Sequence, residues 1–254
     1  MSSKKESVFN TLLVAFMVCL VCAIIVSSAA VSLKPLQDEN RTLFRQQNVL
    51  QAAGLYEPGM DIRAAFDNIE RRFVDMETGE YVERSDDFDQ RAAARDPSTS
   101  RAVDPDPASI RRQSLVAEVF LARSEDGSLS RIILPVHGYG LWSTMYGFLA
   151  LEPDANTIAG IGFYDHGETP GLGGEIDNPR WQANWEGRKL FDDQGQLAFQ
   201  VVKGSVDPDH PESQHRVDGL TGATLTANGV NYMIQFWAGE RGFGPYLERM
   251  KERS

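Results

Sequence analysis

Cysteine is almost absent from this chain of 254 residues. The two present, Cys19 and Cys22, lie in one uncharged apolar run as Cys-Leu-Val-Cys, with no further cysteine or nearby histidine to complete a metal site. They read as small apolar residues. Everything beyond that run therefore makes no disulfide, ligates no iron–sulfur cluster and offers no thiol nucleophile. Histidine is scarce too: His137, His166, His210 and His215 are scattered over expected loops, and no Ser-His-Asp or metal-ligand constellation forms around them. His137 and His166 read as hydrogen-bonding residues of glycine loops rather than catalysts. No Gly-x-Gly-x-x-Gly follows an expected strand, which excludes a dinucleotide held in the usual crevice. Basic residues are outnumbered 25 to 36, and the net charge of −11 argues against a nucleic-acid partner.

Long apolar runs are also few, but one dominates. Thr11 to Leu33 contains no charge and is built from Leu, Val, Ala, Ile, Phe and Met. A bilayer core needs roughly 20 such residues in a helix, so residues 11–33 are expected to cross a membrane. A cleaved signal peptide competes, with Ser28-Ala29-Ala30 as its small-residue site after Lys4 and Lys5. The run exceeds the ~7–15 residues of an ordinary signal-peptide core, which favours an uncleaved anchor. Lys4 and Lys5 favour a cytoplasmic segment 1–10, although Lys34, Arg41 and Arg45 follow on the other side, with Asp38 and Glu39 among them. The remainder then faces the periplasm of a Gram-negative cell.

The expected class is α+β: a single N-terminal transmembrane helix, then one domain with an antiparallel sheet flanked by helices. Residues 34–113 read as a helical and irregular membrane-proximal region and 114–254 as the ligand-binding domain. Leu36 to Ala53 continues helically to a stop at Gly54. Asp61 caps a second helix in which Ile62, Ala65, Phe66, Ile69 and Phe73 recur at helical spacing, ending at Thr78-Gly79. The charged, proline-containing stretch 84–107 reads as a mobile surface excursion. Hairpins are expected from 115–122 with 129–136 and from 144–151 with 157–164, then a short helix over 178–190 and a strand over 197–202. Strands joined by tight turns point to antiparallel pairing. A helix follows the turn at 224–226, with Val230, Met233, Ile234 and Trp237 on one apolar stripe.

Two loops carry more glycine than a turn needs. Pro135 to Trp142 ends in a large flat indole, which serves equally as a cap on the core or a face for a ring system. His166 to Ile176 has four glycines in eleven residues and can wrap a ligand with its amides exposed. The third segment is Asp218-Gly-Leu-Thr-Gly-Ala-Thr-Leu-Thr226, just ahead of the last helix. On one reading Asp218-Gly219 is a turn and Thr224 or Thr226 a helix cap. On the other, a helix start favours a phosphate, and a hydroxyl in its first turn is the atom on which a phosphoester can be built.

The third segment resembles the target of the flavin transferase that moves FMN from FAD to a threonine: Asp218, Thr221, Gly222, Ala223, Thr224 and Thr226 match its pattern. The two loops, the membrane helix and this segment together resemble the FMN-binding domain of the C subunit of sodium-translocating NADH:quinone reductases, a relative of the G subunit of the Rnf ferredoxin-linked complex. Gly140 to Gly147 and the long stretch before Leu115 favour the sodium-pump protein over the Rnf one. The resemblance implies a covalent FMN on Thr226 that passes single electrons toward quinone in a multi-subunit membrane complex of the bacterial inner membrane. Asp218, Thr221, Gly222 and Ala223 would be read by the transferase. Trp142 and Leu172 are expected as apolar contacts to the flavin. Glu168, Thr169 and the amides of Gly173 and Gly174 are expected as polar ones, with Thr224 and Leu225 beside the attachment point. The alternative of another class is a membrane-anchored assembly or binding protein without redox chemistry.

Overall fold

A single helix, α1 (Val8–Ala52), begins the described part of the chain. The structure, a computed structural model, describes residues 8–124 and 126–252. Lys4 and Lys5, on which the expected orientation rests, and Glu125 in the first hairpin turn lie outside the described residues. The 18-residue apolar window of α1 has a mean hydropathy of 2.8, and the helix is long enough to cross a membrane. It continues past Lys34 and Pro35 as expected and stops just before Gly54, whose φ of +68° suits only glycine well.

The chain falls into two compact units, Met1–Phe44 and Arg45–Ser254. The second contains α2 (Ile62–Phe66), β1 (Ile69–Asp75), α3 (Gln90–Arg95), β2 (Ser100–Ala102), β3 (Arg112–Ser114), β4 (Val116–Arg123), β5 (Leu129–Tyr139), β6 (Thr144–Leu151) and β7 (Ile158–Asp165). α4 (Pro179–Ala183), β8 (Gln200–Val201), β9 (Arg216–Val217), α5 (Thr224–Ala238) and α6 (Gly244–Lys251) complete it. The sheet is antiparallel with strand order β1-β4-β5-β6-β7, and helices cover it, as the α+β reading expects. β1 comes from the stretch 34–113, so the boundary expected at 113/114 does not separate two compact units.

Both faces of the sheet are covered, which is why its strands read as continuous apolar runs rather than alternating ones. On one face Ala117, Val119, Leu121, Ile132, Leu134 and Leu149 join the core beneath α5 and α6. On the other, Phe120, Ile133, Phe148 and Ala150 pack with Val49, Leu50 and Ala52 from the last turns of α1. Gly160 makes that second docking possible: a Cβ there would sit against the carbonyl oxygen of Ala52. Glu118, 4 % exposed at its side chain, points to the same face between Arg45 of α1 and Arg71 of β1.

Four expectations change. The helix capped by Asp61 lasts only five residues, with the Asp61 carboxylate accepting from the amides of Arg63 and Ala64. Ile69 and Phe73 lie on the edge strand β1, because the free edge of β4 offers a seven-residue ladder that outweighs local helical spacing. The stretch 84–107 is not an unstructured excursion. Asp89 caps α3, β2 pairs with β3, and the Arg91 guanidinium lies 3.4 Å from the Tyr146 ring centroid while it binds Asp165 at 3.0 Å. The helix expected over 178–190 shrinks to α4, with Asn178 as its cap and Gly187 at φ +75° in the turns beyond. The strand expected over 197–202 reduces to β8, which pairs in parallel with β9. α6 was not foreseen, although Tyr246, Leu247 and Met250 bury one side of it.

His137 is on β5 rather than in a glycine loop, stacked on Tyr146 at 5.4 Å and against Trp237 at 4.9 Å. Burial, helped by the nearby Arg91 charge, lowers its pKa to about 4. The unfolded chain, titrating near 6.5, takes up this proton first as the solution is acidified. Stability is therefore complete above pH 6.5 and falls between there and about 4, by about 3 kcal/mol at full protonation. A urea midpoint series over this range checks it: His137→Phe keeps the ring and removes this share of the slope. An unchanged slope would remove His137 as its source.

Candidate functional site

The three segments singled out in the sequence meet at one carboxylate. Glu168, 5 % exposed, extends from the second glycine loop into the turn after β5. There its Oε1 accepts from the amides of Leu141 (3.1 Å), Trp142 (2.9 Å) and Ser143 (3.3 Å), and its Oε2 lies 3.2 Å from the Leu141 amide. Three successive amides aimed at one group make an anion nest. From the third segment, Thr226 Oγ1 donates to Glu168 Oε2 at 2.6 Å. Burial alone would raise the Glu168 pKa, but the Thr226 hydroxyl and the three amides outweigh it and hold it below the usual glutamate range.

Glycines give this carboxylate its room. A Cβ on Gly140 would come within 2.5 Å of Glu168 Oε1, and one on Gly173 within 2.5 Å of Thr226 Oγ1 and 2.7 Å of Glu168 Oε2. The loop itself is braced: Ser143 Oγ accepts from the Gly167 amide at 2.6 Å, while His166 accepts from the Glu168 amide through Nδ1 and pairs through Nε2 with Asp177 at 2.8 Å. Gly140, Leu141 and Ser143 thus belong to the site without having been assigned these roles, while His166 hydrogen-bonds within its glycine loop as its sequence context suggests. The signal was the density of glycine and small polar residues in both loops.

Neither Thr224 nor Thr226 caps α5. Ala223 holds the N-cap position and brings no side-chain acceptor, so the first turn lies open with Thr224 and Thr226 inside it. Gly222 turns the chain into the helix at φ +76°, and Leu172 Cδ2 from the second loop packs over it, 3.3 Å from where a Cβ would stand. Asp218 is tied into the fold: its carboxylate accepts from the Val206 amide at 2.7 Å and its carbonyl from the Trp181 indole at 2.8 Å. Thr221 is exposed, and Ala223 is buried. The Thr169 carbonyl accepts from the amides of Leu172 (3.1 Å) and Gly174 (2.9 Å). The Gly174 amide, expected to face a ligand, is therefore used within the loop.

Around the buried Thr226–Glu168 pair the surface is apolar and open. Trp142 is 64 % exposed, Leu225 60 % and Leu172 46 %. Large apolar side chains left in water beside a buried polar centre suit a flat ring system with a polar tail.

The chain is 50 % identical to the C subunit of the Na(+)-translocating NADH-quinone reductase of Pseudomonas aeruginosa, over 98 % of each chain. It is 48 % identical to the C subunit of Yersinia pestis, over 97 % of this chain and 94 % of that one. The chain belongs to this C-subunit family. The crystal structure of Shewanella oneidensis NqrC superimposes with a TM-score of 0.76 at 38 % identity, covering 82 % of this chain and 96 % of that one. Residues 140–239 match the FMN-binding domain family. That span opens at Gly140, beside the Glu168 carboxylate, and closes at Gly239, which caps α5. It encloses the amide nest, the second loop and the threonine segment.

Proposed function

We propose that this chain is the membrane-anchored electron-transfer component of a sodium-translocating NADH:quinone reductase, carrying FMN in phosphoester linkage to Thr226. The observation that carries this reading is the convergence of the three segments on the Thr226 hydroxyl in the open first turn of α5. Attachment forms a bond from Thr226 Oγ1 to the flavin-side phosphorus of FAD. The bond from that phosphorus to the AMP half breaks, AMP leaves with the electron pair, and the hydroxyl proton is lost to solvent. A flavin transferase supplies the dinucleotide and reads Asp218, Thr221, Gly222 and Ala223, of which Thr221 and Gly222 are exposed. The helix dipole and free amides of the first turn favour the phosphate charge. Trp142, Leu172 and Leu225 supply apolar surface for the isoalloxazine and exclude water from it. Bound FMN supplies reversible one-electron chemistry, while the protein contributes position and electrostatics.

The test uses the full chain made with and without an active flavin transferase. With it, the protein is yellow and its fluorescence stays with the denatured polypeptide; Trp142→Ala or Leu172→Ala keeps the fluorescent band but shifts the absorption spectrum and potential. A colourless wild-type chain made beside an active transferase overturns the reading. Unchanged spectra in both variants would overturn the pocket assignment while leaving the attachment standing.

α1 anchors the chain in the inner membrane with its start in the cytoplasm and Arg45–Ser254 in the periplasm. A reporter active only outside the cytoplasm, fused after Ser254, is expected to be active and to stay with the membrane fraction. Release by osmotic shock with a new N-terminus at Val31 would instead show a cleaved signal peptide.

A further inference from the structure

We infer that the amides of Leu141, Trp142 and Ser143 are the binding site for the phosphodiester of the attached flavin, and that Glu168 fills this site only until attachment. The inference rests on Thr226 as the attachment point. Glu168 Oε2 lies 2.6 Å from Thr226 Oγ1, a separation close to that of two oxygens on one phosphate, and 3.2 Å from the Leu141 amide. A phosphate oxygen placed where Oε2 now sits is therefore both bonded through phosphorus to Oγ1 and within reach of the Leu141 amide, and a second oxygen of the same phosphate can take the place of Oε1 before the amides of Trp142 and Ser143.

The present arrangement cannot survive the modification. Attachment removes the hydroxyl donor that Glu168 accepts from and puts an anion in its place, directly against a buried carboxylate. Like charges in contact in a low-dielectric site repel strongly. The phosphodiester is tethered there and Glu168 is not, so the carboxylate yields. The path for leaving exists: Gly167, Thr169, Pro170 and Gly171 around it are exposed, and nothing lies within 4 Å of the side-chain position of Gly171. The missing side chains of Gly140 and Gly173 keep the vacated space free for phosphate oxygens. Glu168 also accounts for the burial of the acceptor hydroxyl, since Thr226 is 1 % exposed while Glu168 holds it. The closed carboxylate hides Thr226, and the transferase reaches it when the loop from His166 to Gly173 lifts.

Two measurements on the full chain test this. In flavin-free protein, inorganic phosphate is the probe and chloride at equal ionic strength the control. Glu168→Ala empties the nest, and phosphate is expected to raise its unfolding midpoint by about 5–10 °C at a hundredfold excess over Kd, saturably. Wild-type protein and Glu168→Gln, whose amide oxygen still fills the nest, gain nothing beyond chloride. An alanine variant that responds like wild type overturns the proposal.

The second measurement needs no substitution that could unfold the protein. The 13C resonance of the Glu168 carboxyl carbon is followed against pH in wild-type chain before and after flavin attachment. Before attachment its midpoint lies below that of ordinary glutamate. After attachment it rises to the ordinary range or above, because four hydrogen-bond donors are lost and an anion is gained. A midpoint that stays low shows Glu168 still in the nest and sinks the inference. Peptide mass mapping of the same flavinylated sample separates this from the attachment reading: flavin on a residue other than Thr226 defeats that reading, whatever the carboxyl resonance does.

Discussion

Thr226→Ala is expected to abolish the mass increment of FMN less one water, whereas Thr224→Ala is expected to leave the flavin on Thr226 even if modification becomes slow. The asymmetry follows from where the first turn of α5 points its hydroxyls. Thr226 faces the nest and the second glycine loop through its 2.6 Å bond to Glu168, while Thr224 is exposed on the other side of the turn. Losing the buried bond to a carboxylate costs about 1.5–3 kcal/mol, within the reserve of an ordinary domain. The alanine variant should therefore fold, and its failure to take up flavin reports the chemistry. Thr226→Ser keeps a hydroxyl at the same place and retains the increment. Intact-protein mass and peptide mapping decide it: flavin found on a peptide modified only at Thr221 or Thr224 would falsify the assignment.

The largest expected effect on stability lies away from the site, at Glu118. This carboxylate is buried under the last turns of α1 and pairs with Arg45 and with Arg71, the latter at 3.0 Å. Two cation–π contacts hold the guanidinium groups in place, Arg45 over Phe120 and Arg71 over Phe73. Glu118→Ala leaves two cations facing each other with only the more distant Asp86 and Asp89 as counter-charge. Removing one member of a buried ionic group costs about 3–5 kcal/mol, and the partial exposure of both arginines places this one near the lower end. A loss of about 3 kcal/mol lowers the unfolding midpoint of a domain this size by about 6–12 °C. Arg72→Ala, which breaks an exposed pair with Glu70, is the control, with a change of about 0.5 kcal/mol or less. If thermal unfolding of the full chain moves equally in the two variants, the buried triad does not hold the end of α1 to the sheet.

Both hairpins were legible because tight turns and strand-forming runs are local signals. β1 was not, since Ile69 and Phe73 satisfy helical spacing as well as strand pairing. Only the ladder with β4, contributed more than forty residues later, decides between them. The order in 84–107 was hidden for a related reason. Arg91 and Gln90 look like ordinary solvated residues until Tyr146, Asp165 and the Glu118 amide come within reach.

The residues of the site divide in the same way. The threonine segment, the two glycine loops, the long apolar run and the absence of cysteine beyond it are properties of the linear chain, and they sufficed for family and cofactor class. They are written locally because residue spacing, the length of an apolar run and the freedom of a glycine backbone are each properties of a short stretch of residues. What only the tertiary structure decided is that the three segments share one carboxylate. It also showed that Ala223 and no threonine caps α5, and that the Gly174 amide serves its own loop. These depend on which buried donors and acceptors find one another once the sheet has formed. A buried polar group must be paired, but its partner can be any residue that the fold brings within about 3 Å, and spacing along the chain does not carry that information.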